Sequence, residues 1–131
     1  MFSMKVTPRF YETDALGHIN NTVLSSWFEA SREPVFRLFN PALALKEWNL
    51  ILARVEIDYV AQTHYGLEVE VRSWIGKIGN SSFVVEQEAW QEGVCVARGK
   101  AVQVFFNYVT QKSEAIPAEY RALLEAHLPA A

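Results

Sequence analysis

One change of hydrophobic period narrows the possible folds of this chain more than any other feature. Leu24, Trp27, Phe28, Ser31 and Val35 recur at helical spacing behind Asn20 and Asn21, either of which can cap a helix start. Further along, the period becomes two: Leu67, Val69, Val71, Ser73 and Ile75 alternate with Glu68, Glu70, Arg72 and Trp74. A helix with one apolar stripe and strands with one apolar face bury both by lying against each other. The expected class is α+β, one helix on one antiparallel sheet.

The breaks between these segments set the expected boundaries. A first strand over Lys5 to Glu12 leads into Thr13-Asp14-Ala15-Leu16-Gly17-His18, where Asp and Gly supply turn chemistry. The helix is interrupted or bent at Pro34 and ends before Asn40-Pro41. Strands follow over Leu50 to Ala61, Leu67 to Ile75, Ser82 to Gln91 and Val94 to Tyr108, with hairpin connections at Gly76 to Asn80 and at Glu92-Gly93. Pro117 starts a short terminal helix running to His127. No repeat or linker divides the chain, and its 131 residues suit a single domain spanning 1–131.

Charge and cysteine content exclude some roles. A net charge of -3 leaves no broad basic footprint for DNA or RNA, so nucleic acid is not an expected partner. The single cysteine, Cys95, has no internal disulfide partner, and between Val94 and Val96 it reads as a packed strand residue. No apolar run is long enough for a signal peptide or a membrane span, which makes the cytoplasm the expected compartment.

Chemistry-bearing side chains crowd into Arg9-Phe10-Tyr11-Glu12-Thr13-Asp14-Ala15-Leu16-Gly17-His18-Ile19-Asn20-Asn21, immediately before the helix. A helix start presents unpaired N–H groups and the positive end of the helix dipole, both suited to an oxyanion. A carboxylate at Asp14 would stand beside that position. The same residue types also serve as ordinary turns and caps, so two readings stay open at this level: a site, or a capped loop.

Asp14 through Asn21, continued by Trp27-Phe28-Glu29-Ala30 and Arg32, resembles the Thr-Asp-x-x-Gly-His-x-Asn-Asn segment of the 4-hydroxybenzoyl-CoA thioesterase-like hotdog family. Asp58-Tyr59, Gly66 and the Ile78-Gly79-Asn80-Ser81-Ser82-Phe83 turn extend the resemblance over nearly the whole chain. The resemblance implies a hotdog fold, an antiparallel sheet wrapped around one long central helix. It implies hydrolysis of an acyl-CoA or related acyl thioester, with Asp14 as nucleophile or general base and helix N-terminal N–H groups as oxyanion hole. His18 and Asn21 look like the assisting His and Asn of the related acyl-carrier-protein thioesterases, although Leu16 departs from that branch, where a polar residue is expected.

By the same resemblance Tyr59, Tyr65 and Gly66 belong to a loop facing Asp14 across a dimer. Gly79, Asn80, Ser81 and Ser82 would touch the pantetheine arm or nucleotide, with Lys77, Arg98 or Lys100 near the phosphates. Coenzyme A enters as part of the substrate; no separate cofactor and no metal site is expected. The assembly implied is a homodimer, extended in many members to a dimer of dimers, and the strand Val94 to Tyr108 would need its edge covered in a monomer. Two rival functions remain: a hotdog enoyl-CoA hydratase, whose Gly-Asp-x-Asn-Pro-x-His pattern is not present here, and a non-catalytic acyl-thioester-binding protein on the same fold. The acyl group itself is not readable from these residues.

Overall fold

A computed structural model describes residues 1–129. Strand β1 (Phe2–Val6) leads through a single 3-10 turn at Phe10–Glu12 to helix α1 (Asn21–Ser31) and helix α2 (Glu33–Phe39). Four strands follow, β2 (Leu50–Tyr59), β3 (Val69–Ile78), β4 (Ser82–Gln91) and β5 (Val94–Asn107), then a short β6 (Lys112–Ser113) and helix α3 (Ala118–Glu125). The sheet is antiparallel in the order β1-β3-β4-β5-β2, with β6 pairing β5.

The α+β arrangement expected from the period change is present, with one correction: the helix is not a single long rod. It spans 19 residues and bends between α1 and α2. Pro34, in the first turn of α2, has no N–H to continue the ladder, and at the break the Arg32 N–H bonds the Glu29 carbonyl instead of that of Phe28. The Phe28 carbonyl left over accepts a hydrogen bond from Gln87 Nε2 of β4 at 2.9 Å. The bend is thus tied to the middle of the sheet. Gln87 Nε2 also donates to Ser73 Oγ at 3.0 Å, and its Oε1 accepts from Arg32 Nη1 at 3.2 Å.

Arg32 is itself buried, and desolvation holds its guanidinium below its ordinary pKa, an effect that the nearby Glu29 charge opposes. Two apolar clusters flank this polar centre. Leu24, Trp27 and Phe28 of α1 pack on Val69, Val71, Ala89 and Ala97, while Val35 and Phe39 of α2 pack with Ile75, Phe83, Val85, Ala101 and Leu124. Gly99 lets the Phe28 ring lie close on β5, because a Cβ at that position would be 3.2 Å from two carbons of the ring.

Several boundaries differ from the sequence expectation. The first strand covers Phe2–Val6, and the stretch up to Glu12 turns instead of extending, because Glu12 N–H closes back on the Arg9 carbonyl. Strand β3 runs through Gly76 to Ile78 with a bulge, so the turn lies at residues 79–81. At Gly76 the Glu86 side chain of β4 occupies the place that a Cβ would take. Most consequential is β5: it is flanked by β4 and β2, so its edge is covered within the chain. The open edges are β1 and β2. No helix among the described residues is long and apolar enough to cross a membrane.

Candidate active site

The loop before α1 folds around the Asp14 carboxylate. Asp14 Oδ1 accepts the N–H groups of Leu16 at 2.8 Å and His18 at 3.2 Å, while the Asp14 N–H donates to the His18 carbonyl at 2.7 Å. Gly17, with φ of 78°, makes the reversal between them, in the left-handed region that glycine enters without strain. One carboxylate oxygen is therefore occupied in holding the turn. The other carries no hydrogen bond to the described residues, and Asp14 is exposed in the single chain.

The loop is braced from the helix side by Glu12. Its carbonyl accepts the Asn20 N–H at 2.9 Å, and its carboxylate takes Arg9 N–H at 2.7 Å and Trp27 Nε1 at 3.0 Å. Of the two candidate caps, Asn20 is the one used: its Oδ1 accepts the Thr22 N–H at 3.0 Å. The Val23 N–H closes on the Asn20 carbonyl, which leaves the Asn21 N–H at the head of α1. Tyr59, at the end of β2, donates its hydroxyl to the Asn21 carbonyl at 2.9 Å and so ties the sheet edge to this helix head.

A second loop docks against the first. His18 and His64 form an antiparallel bridge, Ile19 N–H donates to the Thr63 carbonyl at 2.8 Å, and Tyr65 N–H donates to the Gly17 carbonyl at 3.3 Å. The His18 and His64 rings meet edge to face at 5.2 Å, and the Phe10 and Tyr65 rings do the same at 5.9 Å. Gln91 anchors this second loop from the core. Its buried amide accepts the His64 N–H at 2.8 Å and donates to the carbonyls of His64 at 2.8 Å and Leu67 at 3.0 Å.

The residues expected for the site therefore separate into two groups. Asp14, His18, Asn21, Tyr59, Tyr65 and Gly66 gather at one end of the sheet, all within one chain. The Tyr65-Gly66 loop, expected to face Asp14 across a dimer, hydrogen-bonds its own chain's Asp14 loop, with the Tyr65 N–H on the Gly17 carbonyl. Gly79, Asn80, Ser81 and Ser82 lie at the other end of β3 and β4, roughly 30 Å away at about 3.3 Å per strand residue. There the Gly79 carbonyl is held by Arg121 Nη2 at 2.6 Å, and the Ser81 carbonyl accepts the Phe105 N–H at 2.8 Å.

Arg98 and Lys100 do not approach Asp14 either. They stand on the sheet face turned away from α1, 3.6 Å from Glu88 and 3.7 Å from Glu86. Cys95 is half-buried, and desolvation raises its thiol pKa, which keeps it protonated. Among the described residues no group of three or more His, Cys, Asp or Glu is placed to hold a metal ion. Sequence reasoning missed His64, Gln91 and the Glu12–Trp27 brace. Gln87 and Gln91 did carry a signal, since both occupy inward positions of the alternating strand β4, where an amide must be bonded to be tolerated.

The fold recurs in known proteins. The sequence profile of the thioesterase-like superfamily matches residues 8–124. A predicted thioesterase from Bacillus stearothermophilus is 44% identical, with a TM-score of 0.95 over 99% of this chain and 98% of that one. A thioesterase from Thermus thermophilus, solved as a complex with coenzyme A and Zn, is 30% identical, with a TM-score of 0.85 over 95% of this chain and 92% of the other. The uncharacterized protein YsmA of Bacillus subtilis is 31% identical over 84 residues, which span 64% of this chain and 57% of YsmA. With this profile spanning nearly all of its length, the chain belongs to the thioesterase-like superfamily, as a thioester hydrolase with a bent helix on a curled antiparallel sheet.

Proposed function

We propose that the chain hydrolyses an acyl-CoA to the free acid and coenzyme A, with Asp14 at the reacting carbonyl. The observation that carries this reading is the division of labour within one carboxylate: Oδ1 is tied to the Leu16 and His18 N–H groups, and the second oxygen is free on the loop that leads into α1. As nucleophile, that oxygen adds to the thioester carbon, thiolate departs, and water then cleaves the mixed anhydride. As base, it takes a proton from water while the hydroxide oxygen adds to the carbon and thiolate leaves. Both routes place negative charge on the carbonyl oxygen, which the Asn21 N–H and the dipole of α1 would stabilise. His18 assists by holding Asp14 through its backbone.

A homodimer joined along β2 completes the site in this reading. The edge exposes Ile51, Leu52, Val55 and Tyr59, a hydrophobic strand that a monomer would leave open to solvent. Antiparallel pairing of two β2 edges reverses one subunit relative to the other. The Leu50 end of β2 lies with Phe105 and the Ser81 turn, whereas the Tyr59 end lies with Asn21 and the Asp14 loop. Reversal therefore carries the partner's 79–82 turn toward Asp14, where it can meet the pantetheine arm or nucleotide of a CoA ester. The shared element becomes that turn, in place of the Tyr65-Gly66 loop. Phe10, Tyr11 and Leu16, all largely exposed around Asp14, supply apolar surface for the acyl group or the partner to cover.

The Thermus thermophilus relative's complex with coenzyme A supports a CoA ester as the substrate class. A panel of short, long, branched and aromatic acyl-CoAs, followed by free-thiol release, tests the proposal. Hydrolysis of at least one, lost on Asp14→Asn, is expected. Hydration of an enoyl-CoA with its thioester intact, or binding of CoA esters without turnover, would overturn it.

A further inference from the structure

The contact between the Asp14 loop and the loop over 63–67 is a small piece of antiparallel ladder. Its bonds run from the Ile19 N–H to the Thr63 carbonyl and from the Tyr65 N–H to the Gly17 carbonyl, one residue to either side of the facing pair His18 and His64. The two histidines therefore form the non-hydrogen-bonded kind of pair, in which the Cα atoms come to about 4.5 Å and both side chains leave the ladder on the same side. Their rings meet at 5.2 Å, with 66° between the planes.

A residue in such a pair turns its own N–H and carbonyl away from its partner. For His64 both groups end on one buried side chain: Gln91 Oε1 accepts the N–H and Nε2 donates to the carbonyl, each at 2.8 Å. The Gln91 amide thus stands where a further strand would. On the other side, His18 turns its N–H to Asp14 Oδ1 at 3.2 Å and its carbonyl to the Asp14 N–H at 2.7 Å. Asp14, His18, His64 and Gln91 follow one another across this patch, and every backbone N–H and carbonyl of the two histidines is engaged. Their imidazoles are not: neither ring makes a hydrogen bond to the described residues. His64 is exposed and His18 is half-buried.

Packing alone would ask for a ring at position 64 and not for its nitrogens, since a phenyl ring makes the same edge contact. We propose that His64 is a further catalytic residue, which gives a proton to the sulfur of the departing coenzyme A while the His18 ring fixes its direction. The inference rests on the hydrolysis proposed above and adds a residue to that site. As the C–S bond breaks, its electron pair goes to sulfur and the proton of a His64 imidazolium N–H follows, leaving coenzyme A as the thiol and His64 neutral. In the nucleophilic route, water then adds to the acyl carbon of the mixed anhydride and gives one proton to His64. The free acid leaves, and the Asp14 carboxylate is restored. In the general-base route, the proton that Asp14 took from water returns through solvent to His64. Either route consumes one water and brings both side chains back to their starting states.

Dependence on the leaving group tests it, because a proton donor matters to a poor leaving group and hardly to a good one. His64→Phe keeps a ring against His18 and both backbone bonds to Gln91 but removes the nitrogens. On an acyl-CoA, an alkyl thioester, its kcat should fall on the order of 10²-fold, with KM and the circular dichroism melt close to those of the wild type. On the thiophenol ester of the same acid, whose thiolate departs without a proton, kcat should change little. His64→Ala should regain part of its lost acyl-CoA turnover when free imidazole is added. The inference is overturned if His64→Phe turns over the acyl-CoA as the wild type does, or if it loses both thioesters equally. It is also overturned if imidazole restores nothing to folded His64→Ala, and this arm decides alone where the wild type does not accept the thiophenol ester. Where His64→Phe proves unfolded, His64→Asn replaces it, with the same outcomes required. Failure of the hydrolysis reading looks different: the wild type then cleaves no thioester, or Asp14→Asn costs nothing.

Discussion

Asp14 and His18 hold each other by two hydrogen bonds that both use the His18 main chain, with the Asp14 N–H on the His18 carbonyl at 2.7 Å and the His18 N–H on the Asp14 side-chain Oδ1 at 3.2 Å. The first prediction follows from the carboxylate's second, unbonded oxygen. Asp14→Asn retains an Oδ1 that can accept the Leu16 and His18 N–H groups, so the loop should keep its shape. It loses the nucleophile or base. Turnover should fall by about 10²- to 10⁴-fold, the usual contribution of such a group, with the melting transition little changed. Thiol release and a circular dichroism melt measure the two, and near-wild-type hydrolysis by the folded variant would remove Asp14 from the mechanism.

His18→Ala should cost less than Asp14→Asn. What reaches Asp14 is the His18 main chain, which alanine keeps, while the imidazole stacks edge to face on His64 at 5.2 Å. The comparison of kcat between the two variants decides. An equal or larger loss in His18→Ala would give the imidazole a direct part in the chemistry.

Gln91 should matter although it is buried beneath the loops. Its amide satisfies one N–H and two carbonyls of the 64–67 loop, which in turn hydrogen-bonds the Asp14 loop. Gln91→Leu leaves those backbone groups unpaired, a cost on the order of 2–3 kcal/mol. We expect a lowered midpoint in denaturant, faster amide exchange at His64, and kcat falling more than KM rises. Gln91→Glu, which retains the acceptor for His64 N–H, should recover part of the exchange protection. Unchanged exchange in Gln91→Leu would show that the loop is held by other contacts.

How much of this was legible in the sequence depended on how local the cause was. The strand Ser82 to Gln91 was readable to the residue because a hairpin connection leads into it and Glu92-Gly93 turns it, with positive φ at both residues. The helix break was readable because Pro34 removes a donor whatever surrounds it. The passage of β3 through Gly76 was not, since a glycine reads as a turn along the chain while here it lies in the strand beside β4, with the Glu86 side chain lying over it. The placement of β2 beside β5 was hidden for the same reason, and with it the identity of the open edge. At the site, Asp14 and its turn could be read from neighbouring residues. His64 and Gln91 joined it only through pairing across long sequence separations.

The thiol of Cys95 offers a pH test. Burial raises its pKa, so the folded chain holds the proton more tightly than the unfolded chain does. The resulting stability is present below the ordinary thiol range and is lost as pH rises through the folded value. Alkylation at mildly alkaline pH should accordingly be slower in the native chain than in denaturant. Equal rates would mean that the thiol is as free as in an unfolded peptide.

The last prediction concerns β2. A two-fold axis that pairs this strand antiparallel with its own copy sets residues near the strand's centre against themselves, so a charge introduced there meets its like across the axis. Val55 is such a residue: it lies mid-strand, 41% exposed, on the open edge of the sheet. Val55→Lys should therefore prevent edge pairing, whereas Val55→Thr, which keeps strand preference without charge, should not. Val55→Thr is expected to sediment as a dimer with hydrolytic activity, and Val55→Lys as a folded monomer with little. Loss of activity on dissociation is expected because the proposed reversal of the two subunits would carry the partner's 79–82 turn to a site that the single chain leaves open. A fully active Val55→Lys monomer would mean that the Asp14 end of one chain binds and cleaves the thioester unaided. A Val55→Lys dimer as stable as the Val55→Thr dimer would mean that β2 is covered by something other than its own copy.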